Sequence, residues 1–148
     1  MPFYEIGFQT SATATGAPIA ALRAATNALR LWEIGWSCNA ATASGVTLYR
    51  NTNASYAAST STSVGQNTDP TSHAGTGIVD TAWSAAPTIT AASRLRRGQA
   101  PAAIGAGVVW TFRNGLLVRA TTLTDYLVLW NETGSSISVL NGYMAWEE

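Results

Sequence analysis

The segment Leu29 to Cys38 constrains the fold most: Trp32, Ile34, Trp36 and Cys38 fall on every second position, with Glu33, Gly35 and Ser37 between them. A two-residue period puts alternate side chains on opposite faces and predicts a half-buried strand. Leu127 and Leu129 alternate with Tyr126, Val128 and Trp130, so this second segment is apolar on both sides, as a central strand between two layers would be. Tyr4 to Phe8, Val46 to Tyr49, Val108 to Phe112, Leu116 to Val118 and Ile137 to Val139 are shorter runs of β-branched and aromatic residues bounded by Gly, Asn, Ser or Thr. The Asn114-Gly115 pair between two of these runs predicts a tight hairpin, because both residues tolerate positive φ. Asn131 to Ser136 predicts a longer hairpin loop.

Many short strands without alternating helices predict an all-β chain, a jelly-roll-like antiparallel β-sandwich with a long polar loop. The 148 residues suit a single domain, 1–148, in which 1–28 forms an N-terminal arm or an edge-strand region. Pro18 to Leu29 has apolar residues at helical spacing, but Ile19, Ala21 and Arg23 also alternate; strand is the reading favoured by the β-rich flanks. Residues 51–77 hold few large apolar side chains and many Ser, Thr, Ala and Asn, and are expected to be largely loop. A loop of that length in a domain is a candidate contact surface.

Charged residues make up 11% of the chain, against about 25% in ordinary soluble proteins. A surface with so little repulsion suits a protein packed against neighbours. All eight basic residues are Arg, whose planar fork serves interfaces better than Lys. Net charge is zero, so the electrostatic footprint of a nucleic-acid binder is missing. The nearest cluster is Arg94, Arg96 and Arg97; regular strand alternation places Arg94 and Arg96 on one face and Arg97 on the other. No apolar run approaches the roughly 18 residues of a membrane span, and the start of the chain lacks the features of a secretory signal, so synthesis in a cytoplasm and no membrane partner are expected.

Chemistry finds little to work with. The only His is His73, in the polar segment, and the only Cys is Cys38, in phase with the apolar side of its strand and therefore read as a core thiol. One His and one Cys cannot build a zinc site of the usual ligand types, and the eight carboxylates have no calcium-loop spacing. Asp80 is expected to pair with an Arg or cap a turn. Gly105-Ala106-Gly107 precedes a strand-like run where a dinucleotide loop needs a helix, and without Lys there is no phosphate-binding loop of the Gly-Lys-Ser/Thr kind. The expectation is a non-enzymatic protein with no cofactor and no metal. Of the six Trp residues most are assigned to packing, and Trp83 is the candidate exposed or interface aromatic.

Several segments together, Arg30-Leu31-Trp32-Glu33-Ile34-Gly35, Thr81-Ala82-Trp83-Ser84-Ala85-Ala86-Pro87, the run from Pro101 to Trp110, Leu127-Val128-Leu129-Trp130-Asn131 and Trp146-Glu147-Glu148, resemble small virion proteins of tailed bacteriophages. The likeness is to the decoration, or cement, proteins that sit on capsids. That resemblance implies a homo-oligomer, a trimer by preference, on the capsid surface of the virion, bound to the major capsid protein, with intersubunit contacts from the N-terminal segment or a long loop. The candidate interface residues are Phe3, Tyr4, Trp83, Arg94, Arg96 and Arg97. A second reading is a head-fibre or tail module in which Trp83 and the polar segment contact a host-surface glycan; an enzyme built on carboxylates that meet in space is the third.

Overall fold

The computed structural model describes residues 2–51, 59–68, 74–120 and 125–148. Among the described residues eleven strands run in the order β1 (Phe3–Gln9), β2 (Pro18–Ala24), β3 (Leu29–Cys38), β4 (Ser44–Asn51), β5 (Ser59–Val64), β6 (Gln66–Asn67), β7 (Gly77–Trp83), β8 (Arg94–Ala100), β9 (Gly107–Val118), β10 (Tyr126–Asn131) and β11 (Leu140–Glu147). They form two antiparallel sheets packed as a sandwich, with orders β6-β1-β11-β3-β9 and β5-β7-β2-β10-β4-β8. The first segment of the chain is built into both: β1 lies between β6 and β11, and β2 between β7 and β10. Successive strands from β1 to β4, and again from β8 to β11, alternate between the two sheets.

The inward residues of both sheets make one core. Leu29, Leu31, Ile34, Trp36 and Cys38 of β3 meet Leu127 and Leu129 of β10 and Val46 and Leu48 of β4, all buried. Cys38 is 1% exposed, the core thiol its phase predicts. The apolar second side of β10 has a different cause from the one expected. Tyr126, Val128 and Trp130 form a separate cluster with Ala21 and Tyr49 on the outer face of their sheet. The connection from β7 to β8 crosses that face over β2, β10 and β4, and Trp83 at the end of β7 and Ile89 from the connection pack on the cluster. Asn51 fastens it, its amide donating to the Thr88 carbonyl and to the Tyr126 hydroxyl.

Four expectations are corrected. The Asn114-Gly115 pair does not reverse the chain: Leu116 to Val118 and Val108 to Phe112 belong to one strand, β9, antiparallel to β3 throughout. The register jumps from Leu31 opposite Leu116 to Glu33 opposite Thr111, so residues 112–115 bulge outward against the single residue Trp32. Gly115 supplies a φ of 62° to this bulge instead of to a turn. The loop 131–136 joins strands of different sheets and so is no hairpin, and Ile137 to Val139 makes only an isolated bridge, Ile137 with Thr13, before β11 begins at Leu140. The segment 51–77 is less of a loop than its composition predicts, since it holds β5, β6 and the first residue of β7. His73 and Asp69 lie outside the described residues. Fourth, Trp32 does not share the inward face with Trp36, because the bulge at Trp32 shifts the phase of β3.

Arg30 clasps the bulge, its Nη1 donating to the Asn114 carbonyl at 2.7 Å. A Cβ on Gly115 would meet both the positive φ and the Arg30 side chain. Gly115→Ala is therefore expected to lower stability by about 1–2 kcal/mol, read as a shift in the urea midpoint at unchanged m. An unshifted midpoint would mean that the bulge relaxes freely.

Candidate interaction surface

The two edge strands β8 and β9 belong to different sheets and approach one another at one side of the sandwich. Open edges of this kind offer unpaired backbone groups to other chains. Here the offer is blunted: β8 carries three arginines and β9 carries the bulge at residues 112–115. What the edge presents instead is side chains. Among the described residues the exposed large hydrophobics are Phe3, Leu95, Ile104, Val109 and Leu117, and all but Phe3 lie on β8, β9 or their connection.

The bulge also opens a pocket of about 540 Å3 lined by Trp32, Glu33, Arg96, Thr111, Phe112 and Arg113. Arg96 lies over the Phe112 ring, 4.7 Å from its centroid, a cation–π contact that holds the guanidinium at the pocket mouth. Trp32, displaced from the core by the bulge, is half-buried and its Nε1 donates to Glu147 at 3.3 Å. Arg96 and Arg113 are exposed and make no ion pair among the described residues. Trp and Arg beside a partly desolvated aromatic are the residue types that dominate binding energy at protein interfaces.

The expected site residues do not converge on this place. Arg96 alone belongs to it. A bulge in β8 skips Leu95, so Leu48 pairs with Arg96 but Tyr49 with Arg94. That slip overturns the regular alternation: Arg94 and Arg97 share a side and Arg96 takes the other. Arg94 and Arg97 both reach Glu132, at 2.8 and 3.7 Å, and Thr47 and Tyr49 donate to the same carboxylate. These two arginines tie the edge strand to the loop after β10. Tyr4 is 2% exposed and stacks on Trp146 inside the core, so it cannot meet a partner. Phe3 is half exposed, on the far side of the same sheet, and Trp83 packs onto the outer cluster of the other sheet. Val109, Ile104 and Leu117 were missed because adjacent apolar pairs such as Val108-Val109 and Leu116-Leu117 read as buried on both faces, whereas an edge strand leaves one side open.

Among the described residues no three His, Cys, Asp or Glu side chains are grouped so as to hold a metal ion. Among the described residues the tyrosine hydroxyl with the strongly altered acidity is Tyr143, pushed up to about 12 by its hydrogen bond to Glu33, and further by burial and the charges of Glu33 and Glu5. Among the described residues no helix is long and apolar enough to cross a membrane. Comparison with protein-family models, curated proteins and solved structures finds no match to this chain.

Proposed function

We propose that this chain is a non-enzymatic virion structural protein, a decoration protein that binds the assembled capsid of a tailed phage and stabilises it. The pocket made by the β3–β9 bulge carries the proposal. It joins a Trp, a Phe and two exposed arginines to flanking exposed leucines, Leu95 and Leu117, and so suits a partner surface of the major capsid protein that is apolar with acidic groups at its rim. The strand order supports it at a coarser level. With β5 to β7 set aside as an insertion, the orders β1-β11-β3-β9 and β2-β10-β4-β8 read as the two four-stranded sheets of a jelly roll, an architecture of viral capsid and lectin domains. The resemblance of the sequence to decoration proteins adds the homotrimer, in which several modest contacts engage the lattice together and multiply through avidity.

A ligand that binds only the assembled form shifts the equilibrium away from disassembly. Capsids saturated with the protein are therefore expected to open at a higher temperature than bare ones, and an unchanged opening temperature at full occupancy sinks the stabilising role. The Arg96→Ala, Arg113→Ala double variant is expected to bind capsids about tenfold or more weakly, the effect of losing a hot-spot contact. Equal occupancy by parent and variant would remove the pocket from the interface. The number of copies per particle, set against the major capsid protein, separates a lattice-wide component from a fibre or tail part present in a handful.

A further inference from the structure

The outward face of the β1-containing sheet carries a second concavity, at the other end of β9, built mostly by what its strands lack. The register lays the face out in rows: Glu5, Ala145, Glu33 and Thr111; then Gly7, Tyr143, Gly35 and Val109; then Gln9, Asn141, Ser37 and Gly107. In the middle row a tyrosine stands between two glycines. Its half-buried ring lies across Gly35, where a Cβ would overlap the ring carbons, and its hydroxyl donates to Glu33 at 2.5 Å. Beside it runs a groove of about 430 Å3 lined by Gly35, Ser37, Gly107, Val109, Asn141 and Tyr143, among others, within the roughly 300–1,000 Å3 of small-molecule sites.

Tyr143 and Gly35 have a structural explanation, since an aromatic lying over a strand glycine shields the exposed backbone. Gly7 does not share it. It sits within β1, where glycine weakens a strand, has no positive φ, and a Cβ there would meet nothing nearer than the Gly142 carbonyl at 3.9 Å. Gly7 flanks the groove without lining it: it stands next to Tyr143 in the ladder, on the side away from Gly35, and leaves that side of the tyrosine uncovered. The groove's polar side chains, Ser37, Asn141 and Tyr143, are uncharged; beside it, Gln9 donates to Asn141 at 2.9 Å, Asn141 donates to Asn39 at 3.3 Å, and Tyr143 donates to Glu33. No arginine lines it. An anion would find no counter-charge here.

We infer that this groove binds a neutral saccharide, one sugar ring stacking on Tyr143 while its hydroxyls are shared between Asn141 and Ser37. A sugar ring has apolar C–H faces for the aromatic and neighbouring hydroxyls that both donate and accept, which amides and hydroxyls match. The site is independent of the capsid contact, since its lining, with Ser37, Val109, Asn141 and Tyr143, shares no residue with the pocket at Trp32, Glu33, Arg96, Thr111, Phe112 and Arg113. Either can fail alone.

The test is titration of the intact protein with lactose, maltotriose and tri-N-acetylchitotriose, followed by amide NMR shifts and calorimetry, with 3′-sialyllactose and tetramethylammonium as contrasts. At least one neutral sugar is expected to shift the resonances of Gly35, Gly107 and Tyr143. Tyr143→Ala is expected to weaken that sugar about tenfold or more and Gly7→Val similarly, while Tyr143→Phe, which keeps the ring, should stay within about threefold. The urea midpoint of each variant shows whether it remains folded, and Gly7→Val, which meets open space, keeps the test sound if Tyr143→Ala does not. No groove shifts with any neutral sugar, or binding untouched in the folded Gly7→Val protein, overturns the inference; so do shifts caused by tetramethylammonium alone, which would assign the groove to a cation.

Discussion

Trp146→Ala is expected to cost about 3–5 kcal/mol of folding stability, in the range of large-to-small substitutions of a core aromatic. Trp146 is fully buried near the end of β11 and stacks on Tyr4 with ring centroids 6.3 Å apart and planes 20° from parallel. Glycine backbone also closes on it: a Cβ on Gly65 or Gly77 would overlap the indole, and one on Gly75 would overlap the Tyr4 ring. The inserted strands thus dock on the sandwich by closing glycine backbone over two stacked rings. Truncation would leave a cavity that this backbone cannot fill without moving β7. The indole Nε1 is buried with no hydrogen-bond partner among the described residues, a group that costs about 1–3 kcal/mol to leave unsatisfied. Trp146→Phe, which removes that group and keeps a ring, should therefore cost less than half as much as the alanine variant. Gly77→Ala should destabilise by about 1–3 kcal/mol through overpacking, and combining it with Trp146→Ala should cost less than the sum, because the alanine methyl then enters the vacated space. Urea unfolding of the three variants and the double measures all of this. Strict additivity would mean that Gly77 and Trp146 do not share a packing site.

Much of the sandwich was legible from alternation alone. β1, β3, β4 and β10 contain the predicted segments, and β3 begins and ends at Leu29 and Cys38 as predicted. The phase inside β3 was not, although the sequence contains the clue: Leu29 and Leu31 are out of step with Ile34, Trp36 and Cys38, and both sets are buried. Two apolar phases in one strand require an extra residue between them, and Trp32 is that residue. The opposing bulge in β9 borrowed the Asn114-Gly115 pair, whose tolerance of positive φ serves a bulge as well as a turn. β5 stayed hidden because Ser-Thr-Ser-Thr-Ser-Val has no apolar alternation to read, and it pairs along β7 at the sheet edge.

The candidate surface was less legible than the fold, and for a physical reason. Its pocket exists only because bulges in β3 and β9 face one another, and register between distant strands leaves no local trace. The same holds for the crossing connection from β7 to β8, which turns Trp83 from an exposed aromatic into a cover for Tyr126, Val128 and Trp130. Arg96 was identified as an interface residue; its separation from Arg94 and Arg97 depends on the slip at Leu95, which no propensity encodes.

The buried ion pair between β2 and β7 yields the other large effect. Arg23 Nε donates to Asp80 Oδ2 at 2.7 Å, with the aspartate fully buried and the arginine side chain 22% exposed. Ala21 stands opposite Asp80 in the ladder, so Arg23, two residues further along β2, reaches it on the diagonal of the same face. The two partners are not equivalent. Removing the arginine takes away the charge partner that stands 2.7 Å from a fully buried carboxylate, and Arg23→Ala is expected to cost about 3–5 kcal/mol. Asp80→Asn keeps the shape and leaves a guanidinium that already touches solvent, so it should cost less. Replacing both by apolar residues, Arg23→Met with Asp80→Leu, should cost less than Arg23→Ala alone, since no charge then remains to be buried. Arg119 and Asp125 give the contrast: their contact is 3.2 Å, but the Arg119 side chain is 67% exposed, and Arg119→Ala should change stability by no more than about 1 kcal/mol. Raising the salt concentration should erase the Arg119 effect and leave the Arg23 effect nearly intact, because screening acts on charges that face water. If Arg23→Ala and Arg119→Ala proved equally mild in urea unfolding, water would have to reach Asp80 in the native state, and the packing of β7 against β2 would be looser than its geometry implies.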